Sequence, residues 1–181
     1  MLALIIGGAG SGKSEYAEKL AVRLANETGG PPIYLATMVS GGKEADARIR
    51  KHRKNRAGRG FLTIERYADL DNLQLEARLD ESGPTVLLED LGNLLGNEIF
   101  LPEGKGPAAV LSGIRHVYEQ SANLVIVGNE VFSDGRQYDD ETKKYLRELA
   151  LIQRELAAEA SLCAEIVCGC ANILKSPVLR K

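Results

Sequence analysis

Gly7-Gly8-Ala9-Gly10-Ser11-Gly12-Lys13-Ser14 fills every fixed position of the pattern G-x-x-x-x-G-K-[ST], and its reading decides the fold. The flanks supply the context that the pattern needs. Leu2-Ala3-Leu4-Ile5-Ile6 reads as a short buried strand, and Glu15 to Asn26 reads as a helix. In that setting glycines let backbone N–H groups close around phosphate oxygens where a Cβ would obstruct them. The helix N-terminus faces the anion. Lys13 is placed to reach the β- and γ-phosphates and to act on them, and Ser14 to ligate Mg²⁺. A glycine-rich turn with a chance lysine is the competing reading. Four fixed positions between a strand and a helix favour a cradle for ATP or GTP, built from Gly7, Gly8, Ala9, Gly10, Ser11, Gly12, Lys13 and Ser14.

Further apolar runs recur along the chain. Ile33-Tyr34-Leu35-Ala36 follows the turn signal Gly29-Gly30-Pro31-Pro32. Thr85-Val86-Leu87-Leu88 follows Ser82-Gly83-Pro84, Leu124-Val125-Ile126-Val127 precedes Gly128, and Ala164 to Cys168 closes the series, with Phe61 to Glu65 a weaker candidate. Near-continuous apolar strands of this length suit a parallel sheet covered on both faces. Helical patterns lie between them, as in Tyr145, Leu149, Ile152 and Leu156 on one face. The expectation is an α/β fold: P-loop NTPase-like and doubly wound, a mostly parallel sheet with helices on both faces, residues 1–181 forming a single domain. Ligands in such sheets bind beyond the carboxyl ends of the strands, where the phosphate loop falls. Residues 102–107 read as an exposed loop between helices, and Ser176 to Lys181 as a loosely held tail.

Composition narrows the class. The chain has 181 residues, 44% hydrophobic and 27% charged, values ordinary for a globular protein with a real core. A net charge of −2 argues against general adhesion to nucleic acid or anionic membrane. No run is long enough to span a bilayer, and Met1–Ile6 is too short for a secretory core, so a cytoplasmic location is expected. Cys163, Cys168 and Cys170 lack a paired motif elsewhere and read as free thiols in or beside a last strand.

Thr85-Val86-Leu87-Leu88-Glu89-Asp90 is an apolar run ending in acid, the pattern of a strand that delivers a carboxylate to Mg²⁺ beside Ser14. Glu89 is the first choice for that ligand and Asp90 the second. The densest charge cluster is Arg48 to Arg56, with Arg59 beyond. A solvated helix face, a nucleic-acid patch and a cationic wall around a triphosphate are its three readings. Glu44, Arg48, His52 and Arg56 are spaced by four and share a helix face, so His52 stands among cations. A neutral imidazole there is a candidate nucleophile toward phosphorus. His116, the other histidine, reads as an ordinary helix residue.

Taken together these elements resemble the bifunctional adenosylcobinamide kinase/adenosylcobinamide-phosphate guanylyltransferase family of cobalamin biosynthesis. The resemblance runs through Gly7–Ser14 with Tyr16-Ala17-Glu18, then Tyr34-Leu35-Ala36-Thr37. It continues through Glu44, Arg48-Ile49, His52, Arg56, Thr63-x-Glu65, Leu87-Leu88-Glu89 and Asn129-Glu130-Val131. It implies a kinase step on the aminopropanol hydroxyl of adenosylcobinamide, then GMP transfer from GTP through a guanylyl-histidine that falls on His52. It also implies Thr37, Arg48, Arg56, Glu65 and Glu89 as nucleotide-site residues and a homotrimer as the assembly. The chain departs from the family pattern at Asp90, where a Cys is usual, at Phe61, where a Trp is usual, and after Val131 and through Tyr145–Arg154. A divergent P-loop kinase without guanylyl transfer, or a nucleotide-dependent binding module, are the alternatives.

Overall fold

The computed structural model describes residues 1–42, 50, 57–75, 83–133 and 135–176. Seven strands form one sheet in the order β3-β2-β4-β5-β1-β6-β7. They are β1 (Leu2–Ile6), β2 (Ile33–Ala36), β3 (Leu62–Glu65), β4 (Thr85–Glu89), β5 (Asn123–Val127), β6 (Leu162–Val167) and β7 (Cys170–Lys175). The first six pair in parallel, and β7 alone runs antiparallel against β6. The described helices are α1 (Lys13–Thr28), α2 (Leu91–Phe100), α3 (Pro107–Glu119) and α4 (Asp140–Glu159).

Successive strand residues feed opposite faces of the sheet, so both faces become core. Leu2, Leu4, Val86, Leu88, Leu124 and Ile126 pack with Leu91, Leu94, Val110, Ile114, Leu149, Ile152 and Leu156 of α2, α3 and α4. Ala3, Ile5, Leu87, Val125 and Val127 turn the other way, onto Ala17, Leu20, Ala21 and Leu24 of α1. A mostly parallel sheet with helices on both faces is therefore what the chain forms. No helix among the described residues is long and apolar enough to cross a membrane.

Helix starts follow local chemistry. Asp90 Oδ1 accepts from Asn93 N at 2.7 Å and starts α2, and Asp139 Oδ1 accepts from Thr142 N at 2.8 Å and starts α4. Pro107 sits in the first turn of α3, where a missing N–H costs nothing. The single helical face read in the late segment holds, since Leu149, Ile152 and Leu156 are buried on α4 and Tyr145 packs partly against the same core.

Two details differ from the sequence expectation. Helix α1 begins at Lys13 rather than Glu15, because the phosphate loop delivers the chain into helical geometry at the lysine itself. The chain does not end its sheet at Cys168 either. It reverses at Cys168-Gly169, both at positive φ, and adds β7 as an edge strand. The helix expected across Glu44, Arg48, His52 and Arg56 lies outside the described residues.

Candidate active site

The strand order sets the site. β1 lies between β5 and β6, so the loop leaving β1 at Gly7 emerges among the carboxyl ends of parallel strands. β4, which ends in Glu89, lies one strand further across, beyond β5. The loop's shape depends on missing side chains. A Cβ on Gly7 would stand 2.6 Å from Ser11 Oγ and 2.7 Å from the Ile166 carbonyl. Gly12, at φ 93°, occupies the left-handed position from which α1 starts.

One backbone contact closes the loop on itself and two brace it from neighbouring segments. Glu130 N donates to the Gly7 carbonyl at 3.0 Å, Ser11 N to the Gly8 carbonyl at 3.2 Å, and Gly169 N to the Ser11 carbonyl at 2.8 Å. Lys13 Nζ donates to the Gly8 carbonyl at 3.1 Å, which keeps the ammonium folded over the loop. Ala9 and Gly10 form its exposed rim.

Across from the loop, Ser14 Oγ donates to Glu89 Oε1 at 2.5 Å. Tyr34 OH donates to Glu89 Oε2 at 3.2 Å, so the carboxylate is oriented from both ends although it is buried. The two acids at the end of β4 thus take different partners. Glu89 faces Ser14, whereas Asp90, joined to it by a cis peptide bond, caps α2. Ser14 and Glu89 are adjacent hard oxygen donors at the start of a helix, a donor set that fits Mg²⁺.

Thr37 is fully buried. Its N–H donates to the Glu89 carbonyl at 3.2 Å and its hydroxyl to the Asp90 carbonyl at 2.9 Å. It therefore fixes the backbone that carries both acids. Asn97 of α2 donates to the Thr37 carbonyl at 2.7 Å and the Tyr67 carbonyl at 2.9 Å, tying together the segments that follow β2 and β3. Glu65 is exposed at the end of β3 and accepts from Tyr67 OH at 3.0 Å. Tyr145 OH donates to the Gly92 carbonyl at 3.0 Å. Burial, with the Asp90 carboxylate adding to it, pushes the Tyr145 phenol up to about 12.

Arg48, His52 and Arg56 lie outside the described residues. The flanks of that segment are described. On one side it leaves from the carboxyl end of β2, beside Thr37. On the other, Arg59 Nη1 pairs with the buried Glu18 carboxylate of α1 at 2.5 Å, one helical turn beyond Ser14. Phe61 then packs edge-on against Tyr34, ring centroids 6.1 Å apart.

Several of these positions escape sequence reasoning. Glu18, Tyr34 and Glu130 enter the family pattern and Arg59 the basic cluster, but their contacts, like those of Asn97 and Gly169, join residues far apart in the chain. For Gly169 the local signal is a glycine directly after the apolar run Ala164 to Cys168, which marks a turn but not the contact it makes.

Loop, lysine, serine and strand-end carboxylate on this sheet define a nucleotide-binding enzyme of the P-loop class. Solved structures share the fold. The flagellar accessory protein FlaH of Methanocaldococcus jannaschii aligns at TM-score 0.50 and 14% identity, covering 98% of this chain and 79% of that one. A KaiC-like protein of the archaeon Pyrococcus horikoshii aligns at TM-score 0.50 and 12% identity, covering 91% of this chain and 69% of that one.

The chain belongs to the cobinamide kinase/cobinamide phosphate guanyltransferase family, whose model matches residues 3–174. It is 29% identical over 181 residues to the bifunctional adenosylcobalamin biosynthesis protein CobP of Pseudomonas aeruginosa, covering 97% of this chain and 98% of the relative. It is 30% identical over 184 residues to the bifunctional adenosylcobalamin biosynthesis protein CobU of Escherichia coli, covering 93% and 97%. The protein is thus an enzyme of a bifunctional kinase and guanylyltransferase family of cobalamin biosynthesis.

Proposed function

We propose that this chain phosphorylates adenosylcobinamide with a nucleoside triphosphate. It then transfers GMP from GTP to the resulting phosphate through a guanylyl-histidine on His52. The observation that carries the reading is the contact of Ser14 Oγ with Glu89 Oε1 at 2.5 Å beside the phosphate loop, in a chain matched by the family over residues 3–174.

The roles follow from chemistry. Backbone N–H groups of Gly7 to Ser14 hold the β- and γ-phosphates, and the Lys13 ammonium offsets charge that develops on the transferred phosphoryl group. Ser14 and Glu89 hold Mg²⁺, which when bound neutralises charge on the phosphate oxygens. Thr37 acts from beneath, by fixing the Glu89–Asp90 backbone. Arg48 and Arg56 are assigned to offset charge that develops at the α-phosphorus, and Glu65 to bind the nucleotide.

In the second reaction an imidazole nitrogen of His52 attacks the α-phosphorus of GTP. A P–N bond forms, the Pα–O bond to the β-phosphate breaks, and pyrophosphate leaves. An oxygen of adenosylcobinamide phosphate then attacks the same phosphorus, the P–N bond breaks, and His52 is regenerated. One domain of residues 1–181, a cytoplasmic location and a homotrimer complete the reading, with no nucleic-acid partner.

GTP labelled at the α-phosphate tests it. Incubation with Mg²⁺ should leave acid-labile, alkali-stable label on wild-type protein and none on His52→Asn. Label that persists on His52→Asn, or no label on folded protein that binds GTP, removes the histidine step. Phosphoryl transfer without label would leave a kinase alone.

A further inference from the structure

The chain Val167-Cys168-Gly169-Cys170 reverses between β6 and β7. Val167 pairs with Cys170, so Cys168 and Gly169 are the two turn residues. Their φ angles are 50° and 80°, the double positive pattern of a type I′ hairpin turn. Asparagine is the usual first residue there. Here it is a cysteine, held on a left-handed backbone and exposed, with a second exposed cysteine directly after the glycine.

This turn is also a brace of the phosphate loop. Gly169 N donates to the Ser11 carbonyl at 2.8 Å. A Cβ on Gly12 would stand 3.4 Å from Gly169 Cα, so the two backbones are in van der Waals contact. Just upstream, the Ile166 carbonyl closes over Gly7, where a Cβ would come within 2.7 Å. Two exposed thiols therefore flank the glycine whose N–H donates to the triphosphate cradle.

The third cysteine makes the contrast. Cys163 is buried within β6, its thiol faces the Ala157 carbonyl at 3.7 Å, and burial pushes its pKa up. Reaction with disulfides goes through the thiolate and needs access. Cys168 and Cys170 meet the access condition, and Cys163 does not.

We propose that the Cys168-Gly169-Cys170 turn is a covalent thiol-modification site that controls nucleotide binding, taking a low-molecular-weight disulfide of the glutathione type. The thiolate sulfur of a turn cysteine attacks one sulfur of the reagent's S–S bond. That bond breaks, a protein–reagent disulfide forms, and the second reagent thiolate leaves, so the cysteine sulfur is oxidised and the departing sulfur reduced. The adduct crowds the turn and loosens the Gly169–Ser11 contact. A glutathionyl group also brings net negative charge beside a loop built for an anion. Both effects weaken triphosphate binding, and by linkage bound nucleotide opposes modification by the same factor. The inference rests on the reading of Gly7–Ser14 as the triphosphate cradle.

The test uses the full chain, a fluorescent GTP analogue with Mg²⁺, and glutathione disulfide as the probe. Reduced protein is titrated first. Failure of reduced, folded protein to bind the nucleotide overturns the cradle reading and this inference with it. Given binding, glutathione disulfide should place adducts on the peptide holding Cys168 and Cys170, and none on that holding Cys163. Affinity should fall about tenfold, the effect of losing one well-made hydrogen bond at the site. Dithiothreitol should restore it.

The double variant Cys168→Asn/Cys170→Thr should bind nucleotide as reduced wild type does and ignore glutathione disulfide. Modification of the turn at unchanged affinity, or loss of affinity that persists in the double variant, overturns the proposal. Amide hydrogen exchange on wild type gives a reading without substitution. Exchange at Gly169 should quicken on modification, and unchanged exchange counts against the brace.

Discussion

At the scale of single residues, the separation of Glu89 from Asp90 is the fact with most consequence. Both acids are buried at the same strand end, yet only Glu89 meets Ser14, and Asp90 Oδ1 is occupied by the first turn of α2. Substitution should therefore divide their roles. Glu89→Gln keeps the shape but removes the charge facing Ser14, and phosphoryl-transfer turnover should fall about 10²–10³-fold, in the range lost with one preorganised electrostatic contact. Asp90→Asn keeps an acceptor for Asn93 N, so its kcat should fall far less, a difference read by steady-state kinetics on the two variants side by side. Tyr145 gives a second test. Its phenol is raised from the ordinary value of 10.0 to about 12 in the folded protein, first by burial and then by Asp90. The unfolded chain gives up that proton from about pH 10 and the folded chain only near 12, so the unfolded state binds fewer protons across the interval. Stability should fall as pH rises from 10 to 12 on this account. Tyr145→Phe should flatten that part of the profile in denaturant melts. A profile of identical slope in both proteins would show that the phenol titrates alike in the folded and unfolded states.

At the scale of elements, α2 organises the site from behind. Asp90 starts it, Asn97 ties the segments after β2 and β3, and Glu98 closes a second junction. Glu98 is buried, and its carboxylate accepts from Asp69 N at 2.6 Å and Lys105 N at 2.8 Å. Glu98→Ala leaves two N–H groups without that acceptor and opens a small void. A loss of about 2–4 kcal/mol in urea unfolding is expected. How legible each element was in the sequence follows from the same packing. β1, β2, β4 and β5 are covered on both faces, and double burial writes an unbroken apolar run into the chain. β3 is an edge strand with Leu62 and Thr63 exposed, so Phe61 to Glu65 carried only a weak signal. β7 is exposed along most of its length and mixes Asn172 and Lys175 with Ile173 and Leu174, so neither alternation nor continuous burial marks it. At the site, Gly7–Ser14 and Glu89 were legible because each lies next to an element that fixes its place. Tyr34, Asn97 and Gly169 were not, because their partners lie tens of residues away and no local period records such a contact.

At the scale of the whole molecule, the two ends of the sheet bear on assembly. A closed trimer has threefold symmetry, so each chain must offer two different patches that meet head to tail. The sheet ends in two unlike edges, β3 on one side and β7 on the other. Each carries an exposed large apolar side chain, Leu62 at 54% on β3 and Leu174 at 56% on β7. Open edges of this kind invite pairing with another chain unless something covers them. The proposed homotrimer gives the apolar patch on each edge an occupant, the patch of the opposite edge on the next copy. Sedimentation equilibrium should accordingly return three times the chain mass over a wide range of protein concentration. Leu62→Asp and Leu174→Asp alter different patches of the same repeated contact. Each alone should therefore release monomers, because every one of the three interfaces in the ring would contain the charge. A monomeric wild type would remove the trimer. A trimer that survives both substitutions would keep the assembly and move its interfaces off the sheet edges.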